Sequence, residues 1–134
     1  MRADGKWSAI VGASGGFSSV HPHSAVEVGG RLYLAVGDRV VCLDLGTGLM
    51  EWSRRVDPAT CFGVYWDRPH EALISHGEVQ ISRLSPVGDE LWSATGADIF
   101  SEGFSCLAKG IEVVDFNRSV YLFDYRSGAV LAGL

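Results

Sequence analysis

Glycines 48, 88 and 128 stand 40 residues apart, twice in succession, and each lies between two apolar runs. A fixed period of that length marks a chain built from tandem supersecondary units, none able to bury its apolar face alone. The runs before these glycines are Val40–Asp44, Val79–Leu84 and Val120–Asp124. The runs after them are Leu49–Ser53, Asp89–Ser93 and Ala129–Ala132. Each pair reads as a β-hairpin. Asp44 and Asp124 can accept bonds from the backbone N–H groups ahead of them, and glycine at the last turn position can take φ > 0. Upstream lie Arg31–Val36, Ala72–Ser75 and Ile111–Asp115, and further upstream Ser24–Val28, Cys61–Asp67 and Gly103–Lys109. Every repeat therefore holds four strands, and no stretch has the 3.6-residue period of a helix.

The expected fold is all-β: three tandem four-stranded antiparallel meanders. Val40-Val41-Cys42-Leu43 and Val120-Tyr121-Leu122-Phe123 do not alternate apolar with polar, so both faces of these sheets are dry. A β-sandwich is the alternative. The chain reads as a single domain, 1–134. Residues 1–23 hold an N-terminal strand and a Gly/Ser-rich crossover, and the repeats occupy 24–56, 61–94 and 103–134.

The run Cys42-Leu43-Asp44-Leu45-Gly46-Thr47-Gly48-Leu49-Met50-Glu51-Trp52 resembles the tryptophan-docking repeat of quinoprotein-type β-propellers. The resemblance implies that the three meanders are propeller blades and that Trp52 and Trp92 wedge between neighbours. The second copy departs from the pattern with Leu84 at the turn aspartate, and the third with Ala132 at the tryptophan. The adjacent cysteine pair of the quinone enzymes is missing, so no quinone cofactor is expected. Three blades leave two unclosed ends, and two chains would close a ring of six. Asp4-Gly5-Lys6-Trp7-Ser8 reads like the last strand of a preceding blade, available for donation to another sheet.

Bulk chemistry narrows the function. A net charge of −5 with only 11 scattered Lys and Arg is the wrong footprint for nucleic acid. No apolar run approaches a membrane span. The N-terminus lacks the apolar core of a secretory signal, and three widely spaced cysteines suggest no disulfide framework, so a cytoplasmic protein is expected.

Up-and-down topology gathers the long loops at one end of the blades and the tight turns at the other, and long loops carry most binding sites. The candidate binding residues at the long-loop end are His21, His23, Asp38, Asp57, His76, Asp98, Glu102 and Asn117. The histidines lack the convergent ligand spacing of a metal site, so no metal is expected. Asp98 and Glu102 are explained as well by solvation as by acid–base chemistry, and no catalytic residue is assigned. Gly12–Ser19 lacks the Lys-Ser/Thr ending of a phosphate loop. Cys61 and Cys106 read as small buried hydrophobes. Trp7, Tyr65 and Trp66 are candidate interface aromatics; Tyr65 and Trp66 lie on opposite faces of one strand, so one is expected in the core and the other exposed, with core packing of both as the alternative.

The function expected is a non-enzymatic protein-binding module, pairing with a partner or with itself, a dimer first. A small acidic chain of this size could neutralise a basic toxin domain as an immunity protein does. The alternative is a small-ligand binder or enzyme with its pocket among the long loops.

Overall fold

The computed structural model describes residues 2–3, 7–8 and 23–133, without the side chains of 2, 3, 7, 8, 132 and 133. No helix occurs among the described residues. Blade 1 is β3 (Ala25–Val28), β4 (Arg31–Val36), β5 (Arg39–Asp44) and β6 (Met50–Arg55). Blade 2 is β7 (Cys61–Asp67), β8 (Ala72–Gly77), β9 (Gln80–Leu84) and β10 (Glu90–Thr95). Blade 3 is β11 (Gly103–Cys106), β12 (Ile111–Val114), β13 (Val120–Phe123) and β14 (Val130–Gly133). Each is an antiparallel meander in sequence order. The tandem-blade fold is thus present, and the sandwich is not.

At the N-terminus, β1 (Arg2–Ala3) pairs with β2 (Trp7–Ser8) in a separate two-stranded sheet. The strand expected at Trp7-Ser8 is present, and its described partner is β1 rather than a described blade. Its backbone pairs locally with Arg2 and Ala3. His21 and the Gly12–Ser19 segment lie outside the described residues.

The hairpin turns follow the chemistry of their residues. Asp44 Oδ1 accepts from the N–H groups of Gly46 and Thr47, and Asp124 Oδ2 from those of Arg126 and Ser127. Blade 2, which lacks the aspartate, uses a shorter turn in which Gly88 N donates to Ser85 O and the Ser85 hydroxyl accepts from Asp89 N. All three glycines take positive φ, at 78°, 91° and 72° for Gly48, Gly88 and Gly128.

Two of these glycines are also docking floors. The indole of Trp52 donates from Nε1 to Pro86 O at 3.0 Å and lies on Gly88, where a Cβ would meet its ring at 2.7 Å. Trp92 donates to Tyr125 O at 2.7 Å and lies on Gly128, where a Cβ would come within 2.5 Å. Each tryptophan leaves the outermost strand of its blade and reaches the hairpin turn of the next. Burying such a ring contributes about 2–3 kcal/mol. Trp92 is buried and Trp52 half-buried.

Two core clusters lie between blades, and a third, of Leu32, Leu34, Val41 and Leu43, lies on the other face of blade 1. Tyr33, Val40 and Cys42 of blade 1 meet Val64, Leu73 and Leu84 of blade 2. Ile74, Ile81 and Trp92 of blade 2 meet Ile111, Val113 and Phe123 of blade 3. Arg83, cross-strand from Trp92, adds a buried polar tie. It donates to Tyr125 O at 2.7 Å and pairs with Asp67 at 3.4 Å.

Candidate functional site

The innermost strands β3, β7 and β11 face a common axis, and the aromatic rings between them form a continuous stack. His23, just ahead of β3, lies 4.3 Å from Tyr65 of β7, centroid to centroid. Tyr65 lies 4.4 Å from Phe104 of β11, and Phe104 lies 4.6 Å from His76 of β8. Phe62 meets His76 edge-on at 5.3 Å. Offset stacking at these separations is favourable, so the rings bind the inner sides of three blades together. Donation from His76 Nε2–H to Phe100 O at 2.8 Å fixes its tautomer and orientation. Gly63 admits the close approach of blade 1, since a Cβ there would sit 3.2 Å from His23 Cβ.

From this stack toward the tight-turn end, the inner strands border two adjoining hollows. The first, about 570 Å³, is bounded by β3 and by Val64, Tyr65, Trp66 and Arg68. The second, about 410 Å³, lies between the β7–β8 and β11–β12 turns. Trp66, Arg68 and Cys106 border both, so the two form one axial groove. Beneath its far part, Asp67 Oδ2 accepts from His70 Nδ1 at 2.8 Å, and the His70 ring stacks on Tyr125.

Burial pushes the phenols of Tyr65 and Tyr125 up, both to about 12, and holds them neutral at physiological pH. The groove is lined by aromatic and aliphatic side chains together with His23, Glu27, Asp67, Arg68 and His70.

The long-loop residues separate into three groups. Asp57 is buried and fully engaged: Oδ1 accepts from Ala59 N and Thr60 N, and Oδ2 from Val79 N and Gln80 N at 2.9 and 2.7 Å. It clamps the blade 1–2 crossover to the β8–β9 turn, and Gly77 is glycine because a Cβ there would strike this carboxylate. Asp38 is also buried, with Oδ2 paired to Arg55 at 2.9 Å and Oδ1 without a hydrogen-bond partner. Asp98, Glu102 and Asn117 do come together at the end of blade 3, where Asp98 accepts from Asn117 at 2.8 Å and Glu102 pairs with Arg118 at 3.3 Å. They form exposed surface pairs, on no hollow described above. His23 and His76 join Tyr65 in the ring stack.

Two expectations change. Tyr65 and Trp66 do point to opposite faces, but both are half-buried, because one face packs toward blade 3 and the other toward blade 1. Cys61 is buried as expected, whereas Cys106 is exposed at the groove. Phe104 and Arg68 escaped sequence reading. Phe104 sits in a short strand of ordinary composition, and Arg68 in the β7–β8 turn, which no sequence signal singled out.

No protein-family model matches the sequence, and no curated protein matches it. Solved structures do. The chain is similar to BamB from Moraxella catarrhalis, at 16% identity and a TM-score of 0.61, over 82% of this chain and 33% of that one. It is similar to quinohemoprotein alcohol dehydrogenase from Comamonas testosteroni, at 15% identity and 0.64, over 83% and 20%. The computationally designed Ika4 protein matches at 11% identity and 0.71, over 96% and 80%. The chain thus spans a third or less of the two natural proteins, and at these identities the likeness is one of fold. By fold, the described chain is a set of three β-propeller-type blades, docked on one another through Trp52 and Trp92.

Proposed function

We propose that the protein is a binding module that assembles through the open face of blade 3, with a second copy of itself as the first partner. One observation carries this reading: the face that blades 1 and 2 each present to the next blade recurs on blade 3 with no described sheet against it. By register, Glu112 lies opposite Leu122 and Val114 opposite Val120, and these four, all half-buried, point away from blade 2. The same face in blade 1 carries Tyr33 and Cys42, and in blade 2 Ile74 and Trp92; both are closed by the following sheet. On blade 3 the tryptophan position of the repeat is Ala132, so this unit carries no docking indole.

Unpaired apolar sheet faces of this kind mark interaction sites. A stable pairing through them would bury roughly 2,000 Å² or more in total. Sedimentation or light scattering tests it. The expected result is a dimer at micromolar concentration, and a monomer with unchanged circular dichroism for Leu122→Glu. A monodisperse wild-type monomer at high micromolar concentration would overturn the reading.

A further inference from the structure

The geometry points to β3 as a docking edge for an extended peptide strand, laid in the axial groove between β3 and β7. The inference rests on the binding-module reading but uses a surface separate from the blade 3 face. Leu122→Glu should therefore leave it intact.

The backbone directions carry it. Ala35 N donates to Ser24 O at 2.8 Å, which turns the Ser24 carbonyl toward β4. In an antiparallel pair the bonded positions alternate, so Val26 and Val28 also spend their N–H and C=O groups on β4. The same groups of Ala25 and Glu27 point the other way, out of the sheet edge. Strand β3 pairs with β4 alone, and among the described residues nothing bonds to the outward groups of Ala25 and Glu27. Two donors and two acceptors thus stand in the i, i+2 spacing that an added strand requires.

The opposite wall matches. Val64 N donates to His23 O at 2.9 Å, which turns that edge of β7 toward blade 1. Trp66, two residues on, faces the same way with its indole half-exposed. This bond ties the two inner strands at the ring stack, and the groove runs on beyond it toward the tight turns.

Size agrees as well. A four-residue strand is about 13 Å long, and at strand and sheet spacings of about 4.8 and 10 Å it occupies roughly 600 Å³. The hollow along β3 measures about 570 Å³, and Ala25 to Gly29 border it without a break. At its end stands Arg68, exposed and in no ion pair among the described residues. The occupant is therefore a partner's extended segment with alternating apolar residues and one carboxylate placed to meet Arg68.

A phage-displayed library of random nonapeptides, selected on the full chain, supplies the probe. Enriched peptides should alternate apolar residues around an acidic one. Their binding should slow hydrogen exchange at the amides of Ala25 and Glu27. Glu27→Pro removes an outward N–H that the fold does not use, and proline is tolerated at sheet edges. It should weaken binding at least tenfold with little change in melting temperature, and Arg68→Glu should select against acidic peptides. Should Glu27→Pro unfold the chain, an N-methyl group at alternate residues of the peptide makes the same test from the other side. Absence of enrichment, full affinity for Glu27→Pro, or protection confined to another surface would overturn the inference.

Discussion

Placing a methyl group at Gly128 separates the two reasons for glycine there. Its φ is +72°, and a left-handed conformation costs a residue with a Cβ about 1–2 kcal/mol. The added Cβ would also stand 2.5 Å from Trp92 Cε3, against an ordinary carbon contact of about 3.5–4.0 Å. The indole must retreat by about 1 Å, which breaks the 2.7 Å bond from Nε1 to Tyr125 O, worth about 1 kcal/mol. Gly128→Ala should therefore cost about 3 kcal/mol. Gly30 provides the control, with φ +82° and nothing within 4 Å of an added Cβ, so Gly30→Ala should cost the backbone strain alone, about 1–2 kcal/mol. Urea unfolding followed by far-ultraviolet circular dichroism reads both. In a Trp92→Ala background, or Trp92→Leu if that chain fails to fold, Gly128→Ala should fall to the control value. Equal costs for the two glycines, or additivity within about 0.5 kcal/mol in the double-mutant cycle, would refute the docking account.

Asp57→Ala leaves four backbone N–H groups without their acceptor and should cost at least about 3 kcal/mol in the same urea assay; a loss below about 1 kcal/mol would show the clamp to be dispensable. Alkali should destabilise the fold. Burial raises Cys61 to about 12 and Tyr65 and Tyr125 to about 12, so between about pH 9 and 12 the unfolded chain releases protons that the folded chain retains. Stability, full below the ordinary pKa values of 9 and 10, should then fall as pH rises through that window, and a flat melting temperature from pH 8 to 11 would contradict it.

Local chemistry alone determined the repeat. Glycine at positive φ, aspartate bonding the N–H groups just ahead of it and apolar runs of strand length all act within a few residues, so they read directly from the sequence. The docking of Trp52 and Trp92 was legible only through the resemblance to tryptophan-docked repeats, from which the third unit departs with Ala132. Tertiary structure decided everything that joins residues far apart. The Asp57 carboxylate has the same chemistry whether it meets solvent or the N–H groups of Val79 and Gln80, and only the approach of the β8–β9 turn makes it a clamp. His23, Tyr65, Phe104 and His76 carry no shared spacing, because their stack is set by how three inner strands converge. The groove is further still from the sequence, since it depends on which backbone groups of β3 are spent on β4 and which are left facing the axis.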